Sequence, residues 1–222
     1  MPREDYRIST LNCGEEDFAV ACMRSNLRYG KNQKREDVKS HHYIISFDPR
    51  DGPDNGLTVD KAQELGEKFC REQFPGHQAI ICTHPDGHNQ SGNIHVHIVI
   101  NSLRIENVPL LPYMDRPADT KAGCKHRCTD AAMEYFKSEV MELCHEAGLY
   151  QIDLLNGSAN RVMRIIFVLS WSKSSGCPAK PRSADIRSGW HRLKSGWESL
   201  TVCLSAFMRP MWLSASQMKG SL

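Results

Sequence analysis

The chain has 222 residues, 40% hydrophobic and 24% charged, which is room for one substantial domain and an appendage. No apolar run reaches about 18 residues, and the start Met1-Pro2-Arg3-Glu4-Asp5 lacks the apolar core of a signal peptide, so the reading is cytoplasmic, with no membrane partner. The net charge of +2 hides an asymmetry: residues 161–222 carry ten Lys and Arg against Asp185 and Glu198, so the first 160 are acidic overall, and any anionic partner there is attracted by local patches or a bound cation.

In chain order, Tyr43-Ile44-Ile45-Ser46-Phe47 reads as a strand stopped by Asp48-Pro49 and a turn-rich run to Gly56. Thr58 is a good N-cap for a helix to about Phe74, with Ala62, Leu65 and Phe69 on one face and Pro75-Gly76 as its stop. Residues 78–83 form a second strand and 86–93 a polar hairpin loop. Residues 94–102 return antiparallel. After an irregular stretch holding Pro109, Pro112 and Pro117, a helix runs from Asp130 to about Ala147, capped by Thr129 and closed by Gly148. Its inner face carries Met133, Phe136, Val140, Leu143 and Cys144, and 149–155 is a candidate last strand. Beyond residue 160 all four tryptophans lie in unpatterned Ser-rich sequence. This 160–222 segment reads as a poorly structured, out-of-frame-like tail in preference to a basic nucleic-acid-binding arm, leaving 1–159 as the domain. Nine irregularly spaced cysteines fit reduced thiols, and Cys124 and Cys128 lack the second pair a zinc knuckle needs.

The most informative stretch is His95-Val96-His97 followed by Ile98-Val99-Ile100-Asn101. Alternation on a strand sends positions i and i+2 to the same side, roughly 6–7 Å apart. Two imidazoles at that separation grip one divalent cation, while Ile94, Val96, Ile98 and Ile100 make the opposite face a buried one. His84 ends the preceding strand, and the hairpin brings it beside His95 and His97. Satisfied structural histidines are the competing reading, and the third histidine tips the balance toward a metal site. Asp86 or Asn101 would orient a ligand ring from behind, or serve merely as a turn aspartate and a strand-end asparagine.

These residues carry a resemblance. Thr83-His84-Pro85-Asp86 and Asn93 to Ser102 resemble the three-histidine motif of conjugative relaxases, the mobilisation nucleases of the HUH superfamily. His42-Tyr43-Ile44-Ile45-Ser46-Phe47-Asp48-Pro49, the helix beginning Leu57-Thr58-Val59, His126, and Cys144-His145-Glu146-Ala147-Gly148-Leu149 fit the same pattern, so the similarity spans roughly residues 8–158. It implies an α/β fold of the α+β kind, with a central antiparallel sheet and helices packed on one face. It also implies a strand transferase that nicks single-stranded DNA at a transfer origin through a phosphotyrosine intermediate, in plasmid or conjugative-element mobilisation, with accessory relaxosome proteins as further partners. His84, His95 and His97 would hold the divalent ion (Mg, Mn or Zn) on the scissile phosphate, and His42 would line the centre. Lys121, Lys125, His126 and Arg127 form a basic loop cluster suited to phosphate contact.

The nucleophile is less legible. The family's reactive tyrosine lies near the N-terminus, upstream of the segment that matches here, so the N-terminal part and its nucleophile are expected to be missing; Tyr6, Tyr29 and Tyr43 lack the nucleophile context, and Tyr29 is the candidate by nearness to that region alone. The expectation is a domain that keeps its cation and some single-strand affinity yet cuts poorly or not at all. Two other functions stay open: a non-catalytic single-stranded DNA-binding remnant, and a metal-dependent phosphodiesterase of small substrates.

Overall fold

The computed structural model describes residues 6–85, 93–151 and 153–155. The expected loop aspartate Asp86 and the 160–222 tail lie outside the described residues, as does the 159/160 boundary. In chain order the elements are β1 (Arg7–Leu11), α1 (Phe18–Arg28), β2 (Ser40–Ser46), α2 (Asp51–Asn55), α3 (Val59–Gln73), β3 (His77–His84), β4 (His95–Arg104), a 3-10 turn at Pro117–Thr120, and α4 (Asp130–Glu146). The four strands form one antiparallel sheet in the order β1-β3-β4-β2, with the β3–β4 hairpin at its centre. This is the α+β architecture the sequence leads one to expect.

Local chemistry sets the helix limits. The Thr58 hydroxyl accepts from the Lys61 amide at 3.1 Å and starts α3, and the Thr129 hydroxyl does the same for the Ala132 amide at 3.1 Å at the head of α4. Gly148, at φ +67°, stops α4 in the left-handed region that a side chain disfavours. Residues 149–155 do not form the expected last strand. Leu149 is instead buried in the core, and the Tyr150 amide is held by the Asp51 carboxylate at 2.8 Å, which ties the segment to α2.

Register decides which residues share a face. Ile98 pairs with Tyr43 and Ile81, and Val96 with Ile45, so these side chains lie together on one side with Ile100 and Ala79. They pack with Ala62, Phe69, Cys70 and Phe74 of α3, and with Ala132, Phe136, Val140, Leu143 and Cys144 of α4, into a single hydrophobic core. Gly66 lets α3 come unusually close: a Cβ there would meet Val96 Cγ1 at 2.5 Å. The opposite face carries His84, Cys82 and Ile80 of β3, His95, His97 and Val99 of β4, and His42, Ile44 and Ser46 of β2. Ile80 and Val99 are buried, so this second face is covered in part. Among the described residues no helix is long and apolar enough to cross a membrane.

Candidate active site

The β3–β4 pairing sets His84 directly opposite His95, and Cys82 opposite His97. Because alternate residues share a face, His84, His95 and His97 converge at the loop end of the central hairpin. Their ring centres are 5.3 Å (84–95), 5.2 Å (84–97) and 4.9 Å (95–97) apart. A divalent ion bound about 2.1 Å from an imidazole nitrogen lies roughly 3.2 Å from that ring's centre, so three ligands at tetrahedral or octahedral angles keep ring centres roughly 4.5–5.2 Å apart. Spacing and donor type both suit such an ion.

Ring orientation is the part not yet in place. His84 and His95 lie almost face to face, with planes 16° apart, while His97 stands edge-on to both at 88° and 77°. Among the described residues no group of three or more His, Cys, Asp or Glu is arranged to hold a metal ion as it stands. The backbone register brings the three residues together.

His42 belongs to the same group. Its Nε2 lies 2.9 Å from His97 Nδ1, and the two ring centres are 5.1 Å apart. Burial holds the His42 imidazole down to about 4, so it is neutral at physiological pH. His97 is pushed well below its ordinary value, first by burial and then by the neighbouring imidazoles of His42, His95 and His84. A neutral ring is the form that ligates.

Two residues at this site are not among the sequence candidates. Cys82 shares the site face, and its Sγ lies 3.4 Å from His84 Nε2. The signal was available, since Cys82 is two residues before His84 on the same strand. Tyr6 is the other. Arg7 pairs with Thr83 at the start of β1, and Tyr6 immediately precedes that strand, toward the end of β3 that carries His84. Tyr6 is 43% exposed. No pattern around it reads as a strand edge, and only the pairing of β1 reveals which end of β3 it lies toward.

The remaining candidates lie elsewhere. Tyr29 donates its hydroxyl to the Ile105 carbonyl at 3.3 Å and packs against Gly123, just past the far end of β4. Ten residues of extended chain separate Ile105 from His95, about 30 Å. Tyr43 is buried on the helix-covered face, bonded at 2.7 Å to His126 Nε2. Asn101 also belongs to the far end: its amide donates to Gln78 Oε1 at 2.9 Å, its side-chain oxygen accepts from the Leu103 amide, and its carbonyl is 2.8 Å from His77 Nδ1. Four residues of strand, about 13 Å, part it from His97, so it does not orient a ligand ring.

The basic cluster does not present itself to a phosphate as a set. Lys125 pairs with Asp37 at 3.4 Å, Arg127 with Asp115 and with Asp119 (3.3 Å for the latter), and His126 is buried in the core. Lys121 alone of the four is exposed without a recorded ion pair. Lys125 bridges to Leu103, again at the end of β4 opposite the histidines.

Comparison with known proteins accounts for this arrangement. The model of the family "Relaxase: MobA/VirD2-like, nuclease domain" matches residues 3–116, a stretch that takes in the whole sheet and the histidine cluster. The chain belongs to the MobA/VirD2-like relaxase family. Among its relatives is a Protein rlx from Staphylococcus aureus, 27% identical over 141 residues that cover 64% of this chain and 36% of that protein. A second Protein rlx of the same organism is 33% identical over 99 residues, 44% of this chain and 26% of the relative. This relaxase-family chain thus spans about a third of the length of the curated relatives it matches. The family-model match ends before the basic cluster and α4.

Proposed function

We propose that this chain is a DNA-nicking relaxase domain that acts on single-stranded DNA at a transfer origin, with Tyr6 as nucleophile and His84, His95 and His97 as the ligands of a divalent cation (Mg, Mn or Zn). The reading is supported by the convergence of His84, His95 and His97 on one sheet face, with the exposed Tyr6 immediately before the strand that pairs with β3.

When bound, the cation supplies charge neutralisation at a phosphate that is being attacked. Neutral imidazoles suit that task because, unlike carboxylates, they leave its charge intact. The protein's own part is positional. The strands fix three imidazoles at one edge of the sheet, and His42 holds the His97 ring from behind. Were the β1–β3 pairing to continue by one residue, Tyr6 would stand opposite His84 and two strand spacings, roughly 10 Å, from His95. Attack by the Tyr6 oxygen forms the phenolic O–P bond and breaks the bond from phosphorus to the 3′ oxygen. The phenolic proton goes to solvent, and the 3′ hydroxyl takes one up. The 5′-phosphate stays on the tyrosine until a later hydroxyl reverses the step.

A pool of randomised single-stranded oligonucleotides with a 3′ fluorophore, incubated with the full chain and Mn²⁺, tests this. A detergent-stable fluorescent adduct is expected, its tryptic peptide carrying the nucleotide on Tyr6, and Tyr6→Phe should form none. Adducts persisting in Tyr6→Phe would overturn the assignment of Tyr6. Retarded oligonucleotide with no adduct from the wild-type chain would replace nicking with binding alone.

A further inference from the structure

The contact between His42 and His97 has a proton to account for. His42 Nε2 and His97 Nδ1 are 2.9 Å apart, a hydrogen-bond distance that requires one of the two nitrogens to carry the proton. Two arrangements satisfy that contact, and they differ in what His97 offers on its other nitrogen. If His42 donates, His97 keeps its proton on Nε2 and presents an N–H to the space shared with His84 and His95. If His97 donates from Nδ1, its Nε2 becomes a lone pair facing that space.

Only the second arrangement suits a cation ligand, and the contact provides a built acceptor for it. His42 is on β2, paired through Val99 and Ile44 with the strand that carries His97, so its ring is fixed by a different strand from the ring it touches. The ring planes are 29° apart and the centres 5.1 Å apart, so the two rings meet edge to edge through these nitrogens. We propose that His42 is a positioning residue: its Nε2 accepts the His97 Nδ1 proton and locks His97 in the tautomer whose Nε2 faces His84 and His95. This rests on the cation reading of the histidine triad given above. It assigns to His42 no contact with the substrate and no proton transfer in the reaction.

Long-range nitrogen–proton NMR correlation on the full chain, imidazole-labelled and metal-free, reads the tautomer of His97 directly. The wild type is expected to show His97 protonated on Nδ1, the minority form of free histidine. His42→Phe keeps an aromatic ring in the space but removes the acceptor, and should return His97 to the Nε2-protonated form. His42→Gln restores an acceptor oxygen and should restore the Nδ1 form. Titration with Co²⁺ alone should then show affinity about 10- to 100-fold weaker in His42→Phe and near wild type in His42→Gln. His97 protonated on Nε2 in the wild type overturns the inference even if His42→Phe fails to fold, and so does a His97 tautomer indifferent to residue 42. Co²⁺ binding with the wrong tautomer sinks the role of His42 alone. No Co²⁺ binding by the wild-type chain sinks the triad and this role together.

Discussion

His41 and His42 are neighbours on β2, yet they enter two different histidine clusters on opposite faces of the sheet. His42 joins His84, His95 and His97, where imidazoles contact one another beside a hairpin loop. His41 joins His126 and His77 in the interior, with ring centres 4.9 Å and 5.6 Å from that of His126. There the surroundings are aromatic and cationic: Phe74, Phe136, Tyr43 and the fully buried Arg104. His41 Nδ1 and His77 Nε2 are buried with no hydrogen-bond partner. The first cluster is assembled from donors held in common; the second is a packing device that uses the imidazole as a half-polar aromatic. Identical side chains acquire different chemistry from the face they occupy.

The sharpest way to break this comparison is to remove one ring from each cluster. His95→Ala should abolish measurable Co²⁺ binding, a loss of at least about 100-fold, since it deletes a first ligand and leaves two. Its melting temperature should stay within a few degrees of wild type, because His95 lies at the half-buried end of β4. A melting temperature that collapses with His95→Ala would make that cluster structural too.

Acid should separate the clusters next. Burial holds His77 to about 3 and His41 to about 4, with Arg104 adding to the first shift and Lys125 to the second. Both folded values lie below the ordinary 6.5, so the fold favours the neutral rings, and the unfolded chain takes up their protons first as pH falls. Stability should therefore be intact above about pH 6.5 and drain away between there and about pH 4, by on the order of 3 kcal/mol from His41 alone. Urea unfolding at pH 7.0, 5.5 and 4.5 measures it; a flat profile would refute the interior assignment. Smaller still, Tyr43→Phe removes the hydroxyl bonded at 2.7 Å to buried His126 and should cost about 1–2 kcal/mol at pH 7 without changing Co²⁺ affinity. His41→Leu should be the mildest at pH 7, within about 1 kcal/mol, and more stable than wild type at pH 5, because it deletes an unpartnered nitrogen along with its titration.

How much of this was legible in the sequence depends on periodicity and on what pairs with what. The central hairpin, α3 and α4 were legible because apolar alternation, Thr caps and glycine stops all act within a few residues of one another. The histidine triad followed, since i, i+2 on one strand and the end of its hairpin partner need only register. β1 and α1 were not legible: Arg-Ile-Ser-Thr-Leu is short, and α1 leaves Val20, Met23 and Leu27 exposed, so neither shows a clean buried face. Without β1 in view, Tyr29 stood out by proximity along the chain, whereas the fold holds its hydroxyl on the Ile105 carbonyl, past the end of β4 away from the histidines. Lys125, His126 and Arg127 read as a phosphate cradle because their partners Asp37, Tyr43, Asp115 and Asp119 are brought to them only by the fold.

Gly66 gives the histidine edge a hidden dependence on the far side of the sheet. Any larger residue at that point of α3 must push on the side chain of Val96, the single residue between His95 and His97. A wedge of one methyl group there would tilt the peptide on which both imidazoles hang. A helix packed on the opposite face of the sheet thus constrains the spacing of His95 and His97.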